Sequence, residues 1–164
     1  MKLNKNIKIF LAGHNGMVGS AILKKLIDDG FKNVILRTRK QLDLTNQEKT
    51  FKFLKRQKPK FVILAAAKVG GIAANAKFKD RFIYENIQIQ NNVIHGSFLA
   101  GVKNLFLLGS SCIYPKNCKQ PMKEKYLLTG PLEETNDAYA IAKIAGLKMC
   151  EYYSKIYNLN FKTL

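Results

Sequence analysis

A parallel sheet doubly wound with helices on both faces is the α/β fold this 164-residue sequence predicts. Three observations predict it. Short apolar runs alternate with segments of helical periodicity, the pattern of β-α-β units. A glycine-rich turn, Gly13 to Gly19, directly follows the first apolar run. No linker, internal repeat or low-complexity segment divides the chain, and its length and 47% hydrophobic content suit one core.

Ile7 to Ala12 reads as a buried first strand. After the glycine turn, Ser20 to Asp29 has helical periodicity, with Ala21, Ile22, Leu26 and Ile27 apolar and Gly30 ending it. Val34 to Leu36 is a second strand. Thr45-Asn-Gln-Glu48 has the form of a capping box, so a helix is predicted from about Asn46 to Gln57, with Pro59 marking the turn. Phe61 to Ala66 is a third strand, followed by a loop from Lys68 to Lys77. Asp80 to Leu99 is a long helix, Leu105 to Leu108 a fourth strand, and Pro115 to Glu134 a connection. Asn136 to Tyr157 is an alanine-rich helix free of proline. A fifth strand begins at Phe161, and the chain stops within it at Leu164. Right-handed crossovers then give a Rossmann-type sheet of order 3-2-1-4-5, truncated in the fifth strand.

The formal charge of +17 first suggests a nucleic-acid surface. Lysines outnumber arginines 24 to 4 and are spread over the whole chain, which reads as solvated faces rather than a recognition cluster. No nucleic-acid partner is expected. No apolar run approaches a membrane span, and Ile9 to Ala12, behind Lys2, Lys5 and Lys8, is too short for a signal-peptide core. Cys112, Cys118 and Cys150 are odd in number and lack metal-type spacing, so no metal site is expected and a reduced cytoplasmic setting is the simplest reading.

Gly13-His14-Asn15-Gly16-Met17-Val18-Gly19 lies between a strand and a helix. Glycines there allow a tight turn and close approach of backbone to a pyrophosphate at the helix N-terminus. A chain that binds NAD usually carries an acid at the end of the second strand. Arg37 and Arg39 stand in that region instead, which suits a 2′-phosphate, so NADP(H) is the expected cofactor. Asp43 and Leu44 are placed to border the adenine. Ala65, Ala66 and Ala67 are small enough for a cofactor to lie against the end of the third strand. Ser110 and Ser111 end the fourth strand, where such sheets bind ligands, and a hydroxyl there can hold a substrate carbonyl. Tyr139 and Lys143, four apart, share a helix face. A phenol beside a fixed ammonium is expected to have a lowered pKa and to exchange a proton at neutral pH. Cys112 is open to two readings, a small buried hydrophobe or a thiolate that removes a proton beside a carbonyl. His95 is expected to pack, and His14 to shape the loop or lie near the phosphates.

These blocks together resemble the extended short-chain dehydrogenase/reductase family: Gly13 to Ala21, Ala65 to Ile72, Leu108 to Lys116, and Tyr139 to Gly146, with Gln120-Pro-Met122 and Leu127 to Gly130 also fitting. The likeness is strongest to the branch acting on GDP-4-dehydro-6-deoxy-D-mannose, and it covers essentially the whole chain. It implies epimerisation at C3 and C5 and then NADPH-dependent reduction at C4, giving GDP-L-fucose. It implies Tyr139 as proton donor to the C4 oxygen, Ser110 as its hydrogen-bond partner, and Lys143 as the group that binds cofactor and tunes the tyrosine. It raises Cys112 to the epimerisation base, and Leu108, Gly109, Ser110 and Ser111 to the cofactor wall. It also implies a homodimer through helices 80–99 and 136–157.

Two departures accompany the likeness. Asn15 stands where family members often have an arginine facing the 2′-phosphate, so Arg37 and Arg39 carry more of the NADPH preference. Family members run to about twice this length, so residues 1–164 are expected to be an incomplete NADP-binding domain. The substrate domain and the histidine acid opposite the cysteine are then missing, with little turnover expected. The alternatives are another extended reductase or a nucleotide-sugar 4-epimerase, and, outside enzymes, a basic nucleic-acid-binding module.

Overall fold

The computed structural model describes residues 4–164; Lys2, part of the basic N-terminal stretch, lies outside them. Five strands form one all-parallel sheet: β1 (Ile9–Ala12), β2 (Val34–Arg37), β3 (Phe61–Leu64), β4 (Asn104–Leu107) and β5 (Asn160–Thr163). The helices are α1 (Met17–Asp28), α2 (Gln47–Gln57), α3 (Ile72–Lys77), α4 (Lys79–Leu99) and α5 (Asp137–Tyr157). The expected α/β, Rossmann-type class is what forms.

The strand order is β2-β1-β3-β4-β5, which corrects the expected 3-2-1-4-5. β3 does not lie outside β2; it pairs with β1 on one side and β4 on the other. The physical reason lies in burial. β3 is Phe-Val-Ile-Leu, with Val62 and Leu64 fully buried, so it needs neighbours on both sides. β2 is half-buried along its whole length and tolerates the edge. The chain moves one way from β1 to β2 and the other way from β3 to β4, so the switch point falls between the C-terminal ends of β1 and β3. Right-handed crossovers put α1 on one face and α2, α4 and α5 on the other.

The core sits under that second face. Phe10, Val62, Leu64, Leu105, Leu107 and Phe161 point from the sheet against Phe53 and Leu54 of α2, Val93 and Ile94 of α4, and Cys150 of α5. Gly96 lets α4 approach α2, since a Cβ there would lie 2.8 Å from the Phe51 ring. Gln90 bolts α4 to α5, its amide nitrogen donating to the Ala142 carbonyl at 2.9 Å.

Two local expectations change. The stretch expected as a loop from Lys68 to Lys77 contains α3, whose six residues are too few to show a period. The cap of α2 is Asn46, whose side chain accepts from the Lys49 amide at 2.9 Å, rather than Thr45. Thr45 instead donates its hydroxyl to Asp43 at 2.8 Å.

Candidate active site

The glycine turn is shaped by its backbone. Gly13 has φ +90°, and a Cβ there would lie 2.5 Å from the Ala66 amide nitrogen. A Cβ on Gly19 would collide with the Gly13 carbonyl oxygen. Bare backbone at these positions draws the turn against the ends of β1 and β3. α1 then starts at Met17 with no acidic residue in its first turn and no side chain capping it. Its N-terminal amides face the switch point, an electropositive end suited to phosphate.

Over that switch point lies a cleft of about 670 Å³. Gly13 to Gly19, with His14, Asn15, Gly16, Met17 and Val18 between them, form its floor. Ala65, Ala66 and Ala67 form one wall, and Leu108, Gly109, Tyr139 and Lys143 another. Arg37, Arg39, Asp43 and Leu44 close the far end. So the structure gathers eighteen of the expected cofactor residues around one space.

Ser110 and Ser111 directly follow Gly109, the last residue of β4's wall of the cleft. The chain turns away after Gly109 into a short 3₁₀ turn, Ser111–Ile113, carrying both serines off the strand axis. Ser110 pairs with Cys112, whose Sγ donates to Ser110 Oγ at 3.1 Å. Both lie beside the Tyr139 end of the cleft, because that 3₁₀ turn packs on α5.

Lys143 is 4% exposed, and its ammonium donates to the Leu108 carbonyl at 2.8 Å. Its Nζ lies 5.6 Å from the centre of the Tyr139 ring. Burial lowers the Lys143 pKa to about 8, opposed by the nearby Cys112 charge. Tyr139 is pushed up to about 12, by burial first and by Cys112 second. That corrects the expected lowered phenol. The ammonium is aimed at a carbonyl rather than at the phenol oxygen, and desolvation of the phenolate wins.

The far end is also different from two free arginines. Arg37 donates to the Leu36 carbonyl at 2.6 Å and lies over the Phe53 ring. Arg39 is ion-paired with Glu85 at 3.2 Å and Asp43 at 3.7 Å. The sequence reading missed Thr38, Leu42, Lys68, Val69, Glu85 and Ile89, all of which line the cleft. Glu85 and Ile89 are four apart on α4, and an acid in line with apolar Phe82 and Ile89 was the available signal. His14 lines the cleft with its Nδ1 buried and unpartnered. His95 packs as expected, among Phe51, Phe98 and Tyr153, with Nδ1 2.8 Å from the Tyr153 hydroxyl. Cys150 is buried and pushed up to about 12. Among the described residues, no cluster of His, Cys, Asp or Glu could hold a metal ion, and no helix is long and apolar enough to cross a membrane.

A glycine turn at the switch point of a parallel sheet, with a tyrosine and lysine four apart beside it, defines the class: a Rossmann-type α/β protein with the residues of a short-chain reductase. The NAD dependent epimerase/dehydratase family matches residues 9–164, and the chain belongs to that family. It is 60% identical to a putative GDP-L-fucose synthase 2 of Arabidopsis thaliana, over 92% of this chain and 46% of that protein. It is 48% identical to the GDP-L-fucose synthase of Escherichia coli K12, over 96% of this chain and 49% of that one. Among solved structures, a GDP-mannoheptose C4 reductase from Campylobacter jejuni with NADP bound superposes with a TM-score of 0.95 at 48% identity, over 99% of this chain and 51% of that chain. The chain spans about half the length of the curated relatives it matches.

Proposed function

We propose that this chain is the cofactor-binding and proton-handling part of an NADPH-dependent GDP-sugar epimerase/reductase, acting on GDP-4-dehydro-6-deoxy-D-mannose to give GDP-L-fucose. The observation that carries it is the single cleft in which the Gly13–Gly19 turn, Arg37, Tyr139 and Lys143 meet. The residues fit NADP(H). A Cβ on Gly16 would meet only the Gly13 carbonyl oxygen, at 3.5 Å, so that face of the turn leaves room for a pyrophosphate, and His14 lines the cleft beside it. Arg37 and Arg39 stand at the end where a 2′-phosphate belongs. NADPH, when bound, supplies the reducing equivalent at C4.

The chain's own groups handle protons. Cys112, as thiolate, withdraws the proton from a carbon beside the C4 ketone, and the ketone becomes an enolate. Return of a proton to the opposite side of that carbon inverts it. Tyr139 then gives its phenolic proton to the C4 oxygen as the ketone becomes an alcohol, while Ser110 holds that oxygen. A phenol kept protonated up to about 12 is a proton source through the whole physiological range. Lys143 donates to the Leu108 carbonyl and holds the β4 end against α5. Three free cysteines support a reducing cytoplasm.

We also place a homodimer contact on the outer face of α4 and α5. Exposed Tyr84, Ile141, Tyr152 and Ile156 support it.

The test uses a polypeptide of the relatives' full length carrying this chain, given the 4-keto sugar and NADPH in deuterated water. Deuterium is expected at C3 and C5, with NADPH consumed. Cys112→Ser is expected to lose the exchange, and Tyr139→Phe to lose reduction by about 10²-fold or more. Inversion at C4 without net NADPH consumption would overturn the proposal.

A further inference from the structure

Glu85 is assigned no role by the family likeness, yet it stands at the centre of the far end of the cleft. Its Oε2 accepts from Arg39 Nη2 at 3.2 Å, and its Oε1 lies 3.5 Å from Lys68 Nζ. The side chain is 19% exposed, against 65% for Arg39. It therefore joins three separate elements: the end of β2, the segment after β3, and α4. The next residue fixes this geometry. Asn86 is buried, accepts from the Lys68 amide at 2.8 Å and donates to the Lys68 carbonyl at 3.0 Å. Lys68 is thus tied to α4 by its backbone, one residue from the carboxylate its side chain meets. Asp43 adds a second acid, 3.7 Å from Arg39 Nε.

We infer that Glu85 sets cofactor selectivity by holding Arg39 and Lys68 in ion pairs that a 2′-phosphate must break. The inference rests on the NADP(H) reading of the cleft. A phosphate arriving at Arg39 competes with the Glu85 carboxylate for the same guanidinium hydrogens. A ligand with a plain 2′-hydroxyl brings no charge and does not compete. The carboxylate therefore counts against one ligand and not the other, and the preference for a 2′-phosphate is smaller than two arginines alone imply. Sequence position offers no hint of this, since Glu85 is 46 residues from Arg39.

The experiment measures binding of 2′,5′-ADP and 5′-AMP to the chain, with Glu85→Gln, Arg39→Gln and the double variant. Glutamine keeps the shape and removes the charge. Glu85→Gln is expected to tighten 2′,5′-ADP about fivefold at low salt, and less at high salt, while 5′-AMP stays within about twofold. In the Arg39→Gln background the gain should vanish. Equal changes for both ligands mean a structural brace and overturn the inference, as does weaker 2′,5′-ADP binding. If the wild-type chain binds neither ligand, the cofactor reading itself falls, and the inference with it.

Discussion

At the scale of single residues, Lys143 is the most informative. Its ammonium is nearly sealed from water, and its pKa falls from 10.5 to about 8. The unfolded chain then binds more protons than the folded one between about pH 8 and 10.5, so stability rises with pH across that window. Lys143→Met should remove the rise. Denaturant midpoints measured from pH 7 to 10.5 should show the wild type gaining up to about 3 kcal/mol relative to the variant. Tyr139 acts in the opposite sense above pH 10, where the unfolded phenol ionises first and stability falls. The spacing of Tyr139 and Lys143 was legible in the sequence because helix geometry fixes it. The direction of the phenol's shift was not, because desolvation depends on which groups close over the ring. Glu85 was legible only as an acid in line with apolar Phe82 and Ile89; its ion pairs were not, because nothing local says that Arg39 and Lys68 converge on it.

At the scale of elements, the contact between α4 and α5 decides where Tyr139 and Lys143 sit. Gly146 makes it possible. A Cβ there would strike the Gln90 carboxamide oxygen and lie 2.9 Å from Leu107. Gly146→Val should force the two helices apart and cost about 1–3 kcal/mol, read as a lower denaturation midpoint. The outer face of the same pair carries Ile141, Tyr152 and Ile156 at helical spacing, all exposed. Replacing Tyr152 and Ile156 with glutamate should halve the mass seen by sedimentation if this face joins two copies; an unchanged mass would remove the face from the dimer. Long helices such as α4 and α5 were legible within a residue or two because they hold many turns of periodic pattern. α3 was not, since Gly70-Gly71 followed by small residues reads as loop until Asn75 is seen bonding back to the Gly70 and Gly71 carbonyls.

At the scale of the whole molecule, alternation of strand and helix predicted a parallel Rossmann-type sheet, and that class is what forms. The position of β3 was not legible. Periodicity tells which residues are buried, but not on which side of β1 the third strand pairs. The observed order matters more than the expected one for function. It places the switch point between β1 and β3, under the glycine turn and beside Ala65 to Ala67. The central claim is that a dinucleotide lies across this point, from Arg37 to Tyr139. The most direct measurement is amide chemical-shift mapping of the chain during titration with NADPH. Saturable shifts should cluster on Gly13 to Gly19, Thr38 and Arg39, Ala65 to Lys68, and Gly109 with Tyr139 and Lys143. Absence of saturable shifts, or shifts confined to the far side of the sheet around Phe61 and Phe106, would contradict it.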